Sequence, residues 1–78
     1  MEATERVTIL LKKNFGVRLD TVSPDAPLYQ LSIDSLALEE LILQIEDECA
    51  VDLADLTLTS RDTVAALLSA VRQKAVTA

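Results

Sequence analysis

The sequence predicts an all-α fold, a small three- to four-helix bundle with a long loop between the first and second helices. Three observations carry that expectation. Apolar residues recur at helical spacing in three segments, two prolines interrupt the stretch between the first two, and the interior must be aliphatic. Half of the 78 residues are apolar, yet only 3% are aromatic and there is no Trp. A core of Leu, Val, Ile and Ala in so short a chain suits helices packed on helices. Residues 1–78 are expected to form one domain, near the lower size limit for a core without disulfides or metal.

The first helix is expected over residues 3–15. Ala3, Val7, Leu10, Leu11 and Phe15 fall on one stripe of period 3.6. Gly16 follows at once, where a left-handed residue often stops a helix. From Val17 to Ile33 the pattern dissolves, and Pro24 and Pro27 forbid an uninterrupted helix. A connection of this length is usually tied down or functional. Val17, Leu19, Val22, Leu28, Leu31 and Ile33 are its candidate anchors.

A second helix is expected to start at Asp34 or Ser35 and to run to about Cys49. Leu38, Leu41, Ile42, Ile45 and Cys49 fall within a sector about 100° wide, which must face inward. Leu36, Glu40, Leu43 and Asp47 share the opposite face, with Glu39 and Glu46 on its flank. Leucines exposed there would contribute nothing to folding, so this face asks for a partner. Residues 50–60, AVDLADLTLTS, predict at most one short turn around 54–56. Thr59, Ser60 or Asp62 can each cap a last helix that places Val64, Leu67, Leu68 and Val71 at helical spacing, with Arg72 and Lys74 near its C-terminus. The final AVTA is expected to fray.

The net charge of −6 is unevenly spread. Residues 19–60 hold ten acids and no base, a net −10, whereas the remainder holds three acids and seven bases, a net +4. Such a field repels phosphate backbones and attracts basic protein surfaces, so a nucleic-acid partner is not expected. No segment has the length or composition of a membrane span, and the N-terminus does not resemble a signal peptide. The one cysteine, Cys49, excludes an internal disulfide and fits a reducing compartment, so the cytoplasm is expected. Its place on the inward stripe reads as core rather than as a reactive thiol.

Ser35 stands exposed in prospect at the start of the second helix, and its chemistry has three readings. As a catalytic nucleophile it would need a base, but the chain has no His and no Lys between residues 14 and 73. Calcium and zinc sites are excluded by the lack of a suitably placed Gly, of His and of a second Cys, so no metal is expected. A purely structural role, with Asp34 as the cap, leaves Leu36 and Leu43 unexplained. Covalent attachment fits best. A phosphodiester on Ser35 would lie at the positive end of a helix, where negative charge is favoured by roughly 0.3–1 kcal/mol.

The segment LSIDSLALEELILQIEDE resembles the phosphopantetheine attachment segment of freestanding, type II acyl carrier proteins, whose usual core is Leu-Gly-x-Asp-Ser-Leu followed by an acidic helix. ERVTILL with FGV, SPDAPLYQL and RDTVAALLSAV extend the resemblance over almost the whole chain. It implies that Ser35 carries a 4'-phosphopantetheine arm, transferred from coenzyme A by a phosphopantetheinyl transferase with magnesium, and that Asp34 helps to present it. The arm's thiol would hold acyl groups as thioesters. Glu39, Glu40, Glu46 and Asp47 would meet basic patches on a ketosynthase, an acyltransferase and other pathway enzymes, with Leu36 and Leu43 as apolar contacts between them. The protein would be a monomeric carrier and not an enzyme.

Three positions depart from the family pattern. Ser32 replaces the usual Gly, Ala37 stands where fatty-acid carriers often have an acid, and Glu39 occupies a place commonly held by valine. These favour a type II polyketide-like pathway, with housekeeping fatty-acid synthesis and an aminoacyl (peptidyl) carrier as alternatives. An unmodified acidic helical interaction module is the rival of a different class.

Overall fold

The structure, a computed structural model, describes residues 3–77. Its elements are α1 (Ala3–Phe15), a single 3-10 turn (Leu28–Leu31), α2 (Ser35–Cys49) and α3 (Val64–Thr77). Among the described residues, then, three α-helices and one 3-10 turn make up the regular structure. The expected stripe of α1 is inward at Val7, Leu10 and Leu11, with Ala3 and Phe15 at its margin. Gly16 stops the helix as expected: at φ 68° its N–H donates to Lys12 O at 3.0 Å, and Val17 N–H donates to Leu11 O at 3.2 Å.

α2 and α3 each pack on α1, which leaves the segment between them to complete the core. That core is aliphatic throughout, with Val7, Leu11, Leu28, Ile33, Ile45, Leu67 and Val71 fully enclosed. Leu28 and Ile33 show that the long loop is held by its side chains, and Leu19, Val22 and Leu31 pack against the same cluster. The backbone is stitched as well. Leu28 N–H donates to Asp62 O and Tyr29 N–H to Ser60 O, both at 2.9 Å, beside an isolated antiparallel bridge between Pro27 and Thr63.

The start of α3 differs from expectation for a reason that lies in this stitching. A helix leaves its first four N–H groups without intrahelical acceptors. Here Val64 N–H donates to Ala26 O, Ala65 N–H to Pro24 O, and Ala66 N–H to Thr63 Oγ1 at 3.1 Å. Thr63 is therefore the cap, and Thr59, Ser60 and Asp62 are not. Asp62 instead accepts from Thr59 N–H at 2.7 Å and closes its own turn. At the other end α3 runs to Thr77, so residues 75–77 of the tail expected to fray are helical, and Ala78 lies outside the described residues.

Between α2 and α3 no fourth α-helix forms. Val51 and Leu53 are buried while Asp52 and Ala54 are exposed, an alternation that suits extended chain. The Asp52 carboxylate accepts from Ala54 N–H at 2.9 Å, and Leu56 N–H donates to Leu53 O at 3.1 Å. The result is the single turn expected at 54–56.

Candidate functional site

The chain reaches Ser35 through three residues with different duties. Ser32 closes the 3-10 turn in the left-handed region, at φ 68° and ψ 22°, and its N–H donates to Tyr29 O. This is the conformation that glycine reaches without strain, and serine adopts it here. Ile33 is fully buried, and its N–H returns to Leu28 O at 3.2 Å. Asp34, in extended conformation, caps α2: its Oδ1 accepts from Ala37 N–H at 2.8 Å, and its carbonyl accepts from Leu38 N–H at 2.8 Å. Ser35 then begins the helix with its side chain exposed.

Capping leaves a defined remainder. The N–H groups of Ser35 and Leu36 and the Ser35 hydroxyl have no acceptor among the described residues, so backbone donors and an exposed hydroxyl meet at the positive end of α2. An oxyanion bonded to Ser35 Oγ would find those donors beside it. The Asp34 carboxylate lies next in sequence but is engaged as the cap.

The face below Ser35 is arranged as the helical spacing indicates. Leu38, Leu41 and Ile45 are buried, whereas Leu36 is 71% and Leu43 64% exposed. Glu39, Glu40 and Asp47 are exposed around them. The ion pairs Arg6–Glu48, Arg18–Asp20 and Lys74–Asp55 among the described residues do not use these three carboxylates.

Glu46 behaves differently from the other acids of this face. It is half-buried, and its Oε2 accepts from the backbone N–H of Leu53 at 2.8 Å, tying α2 to the connection that follows. Beside it an open groove of about 460 Å³ lies between α2 and the 54–56 turn, lined in part by Ile42, Leu43, Leu53 and Leu56. Sequence reasoning placed Glu46 on the flank but missed the groove. The only local signal was the V-D-L alternation at 51–53.

No group of three or more potential metal ligands occurs among the described residues, and no described helix is long and apolar enough to cross a membrane. Cys49 is free and half-buried; burial pushes its thiol pKa up, Arg6 pulls it down and Glu48 raises it. It lies at the far end of α2 from Ser35.

Comparison with known families gives one finding. The family model described as "Phosphopantetheine attachment site" matches residues 5–71, which span all of α2 and most of α1 and α3. No solved structure matches the chain.

Proposed function

The chain belongs to the phosphopantetheine attachment-site family, and on that premise we propose that Ser35 is the attached residue and that the protein shuttles acyl thioesters between enzymes of a type II polyketide-like pathway. Membership makes it a carrier with a covalently bound 4'-phosphopantetheine group, and carriers of this kind work by visiting the enzymes of a pathway. The arm supplies a terminal thiol for thioester formation. This chain's own residues supply the rest.

The observation that carries the assignment to Ser35 is its position: an exposed hydroxyl at the first residue of α2, with two backbone donors alongside. In the transfer reaction Ser35 Oγ forms the new bond to the phosphorus that bears pantetheine in coenzyme A. The bond from that phosphorus to the nucleotide breaks, and the hydroxyl proton passes to the transferring enzyme. The N–H groups of Ser35 and Leu36 would be the donors available to the phosphodiester charge, and Asp34 keeps the helix end formed by holding Ala37 N–H.

Leu36, Glu39, Glu40, Leu43, Glu46 and Asp47 are the docking residues of this reading. Exposed carboxylates raise association rates and set partner choice more than they tighten binding, which suits a carrier that must leave each enzyme quickly. The chain performs no chemistry on the cargo in this reading, since an isolated hydroxyl with no nearby base has no means of activation. The polyketide assignment rests on the departures at Ser32, Ala37 and Glu39, of which Ala37 removes a charge from the first turn of α2 that fatty-acid carriers often possess.

Incubation with coenzyme A and a broad-specificity phosphopantetheinyl transferase tests the reading. One pantetheine phosphate should add to the intact mass, and Ser35→Ala should prevent it. No mass gain by the folded wild-type chain refutes carriage and favours the unmodified interaction module. Efficient loading by a malonyl transferase of fatty-acid synthesis would refute the pathway assignment alone.

A further inference from the structure

Away from the acidic face, Tyr29 and Arg61 line an open pocket of about 560 Å³ together with Pro27 and Ser60. Its walls are two loop segments joined by backbone hydrogen bonds. Leu28 N–H donates to Asp62 O and Tyr29 N–H to Ser60 O, both at 2.9 Å, so Arg61 lies between the two residues paired with the 3-10 turn. Its own N–H donates to Thr59 Oγ1 at 3.2 Å. The backbone of the pocket is thus held on both sides. Tyr29 is 55% exposed and Arg61 is exposed. The ion pairs among the described residues do not use the Arg61 guanidinium, and the neighbouring Asp62 carboxylate accepts from Thr59 N–H at 2.7 Å.

We propose that this pocket holds the carboxylate end of an acyl group carried on the Ser35 arm, with Arg61 as its cation and Tyr29 as its wall. The proposal rests on the reading of Ser35 as the attachment site. Three physical points select this occupant. The first is charge. Residues 19–60 hold ten acids and no base, and Arg61 is the sole base between Arg18 and Arg72. A carboxylate tethered within that field is repelled by its surroundings and attracted at Arg61, a preference that uncharged cargo lacks.

The second point is chemistry. A guanidinium presents paired N–H donors that match the two oxygens of a carboxylate, and a tyrosine ring adds contact area at low entropic cost. An aliphatic chain gains little from Ser60 and Arg61. The third point is reach. The Ser32 N–H to Tyr29 O bond of 3.2 Å, followed by three residue steps, limits the Tyr29 to Ser35 Cα distance to about 17 Å. About thirteen bonds separate phosphorus from sulfur in the arm, roughly 15 Å when extended at peptide-like lengths, and the acyl group lies beyond the sulfur. The phosphate has its own donors at the start of α2, so the free end of the arm is what the pocket can serve. Tethering supplies an effective concentration of the order of millimolar, enough to populate a weak contact.

The test is NMR at neutral pH on the chain loaded at Ser35 from malonyl or acetoacetyl coenzyme A by a broad-specificity phosphopantetheinyl transferase. The two cargoes differ by a methyl group in place of one carboxylate oxygen. Malonyl loading should move the Arg61 side-chain Nε–H and the amides of Tyr29 and Ser60, whereas acetoacetyl loading should not. The difference should shrink in about 0.5 M salt. In Arg61→Gln the Tyr29 and Ser60 differences should fall at least about twofold, the size expected for an exposed ion pair. Arg72→Gln removes a base outside the pocket and should leave them intact.

Equal shifts from the two cargoes overturn the proposal without recourse to any variant. So do undiminished differences in Arg61→Gln, or an Arg72 Nε–H that responds to malonyl as strongly as that of Arg61, since the effect would then be one of overall charge. A wild-type chain that accepts neither arm refutes the carrier reading of Ser35, whereas a fully loaded chain with a silent pocket refutes only the carboxylate site.

Discussion

Ser32→Gly is expected to stabilise the fold. Ser32 and Ala50 are the two non-glycine residues with positive φ among those described, at 68° and 54°. Each closes one end of the region around α2: Ser32 ends the 3-10 turn before it, and Ala50 is its C-cap. For an L-residue the left-handed conformation costs roughly 1–2 kcal/mol. Glycine removes that cost but adds unfolded-chain entropy worth about 0.4–1 kcal/mol. The net expectation is a gain of about 0.5–1 kcal/mol for each substitution. For a domain of this size about 1 kcal/mol corresponds to 4–8 °C in Tm, so a rise of about 2–8 °C should follow.

The two sites are separated by the length of α2, about 22 Å for its fifteen residues, and effects at that distance normally add. The double variant should therefore gain about 1–2 kcal/mol in urea-induced unfolding, with an unchanged dependence on denaturant. Ser32→Ala is the control. It keeps the Cβ, and the Ser32 hydroxyl has no hydrogen-bond partner among the described residues, so its stability should stay within about 0.5 kcal/mol of wild type. The reasoning fails if Ser32→Gly is neutral or destabilising while Ser32→Ala is also neutral, because the serine would then not be strained at φ 68°.

Three further outcomes follow from the same geometry. Asp34→Ala removes the acceptor of Ala37 N–H and should cost about 0.5–2 kcal/mol in denaturant unfolding, with Asp34→Asn nearly harmless; equal losses for both would point to charge rather than capping. The hydrogen bond from Lys74 holds the Asp55 carboxyl below its ordinary pKa, aided by a backbone hydrogen bond and by the lysine's charge. Lys74→Met should move its NMR titration upward. Because the folded pKa is the lower one, the pair's contribution is present above the unfolded pKa and disappears as pH falls through the folded value. Burial raises the Cys49 pKa, so alkylation should require a higher pH than for an exposed thiol; Arg6→Gln should raise that pH further, since Arg6 opposes the shift.

The parts of the fold that were legible in the sequence are those fixed by local rules. Leu38, Leu41 and Ile45 on one side of α2, and Leu36 and Leu43 on the other, follow from a period of 3.6 residues. Gly16 as a helix stop follows from its missing Cβ. Thr63 was missed as the cap of α3 because Thr59, Ser60 and Asp62 are equally good candidates by type. What selects Thr63 is non-local: carbonyls of Ala26 and Pro24, some forty residues away, occupy the adjacent donors. The bond from Leu53 N–H to Glu46 was hidden for the same reason, since no spacing rule connects a helical carboxylate to an extended segment seven residues on.

That distinction also explains how the candidate site is built. Ser35 can be both exposed and well directed because the constraint on it is divided between neighbours. Ile33, wholly enclosed, fixes the chain in space through the core. Asp34 fixes the helix end through one carboxylate oxygen, and neither restraint uses the serine hydroxyl. A hydroxyl held through its own hydrogen bond would have to break that bond to accept an arm. Here the restraint lies entirely in residues 33 and 34, so modification of Ser35 need not disturb what holds it. A similar division appears three turns down the helix, where Leu53 N–H holds one oxygen of Glu46 and the other has no partner among the described residues. At both places the fold orders a polar group through atoms that its proposed task does not use.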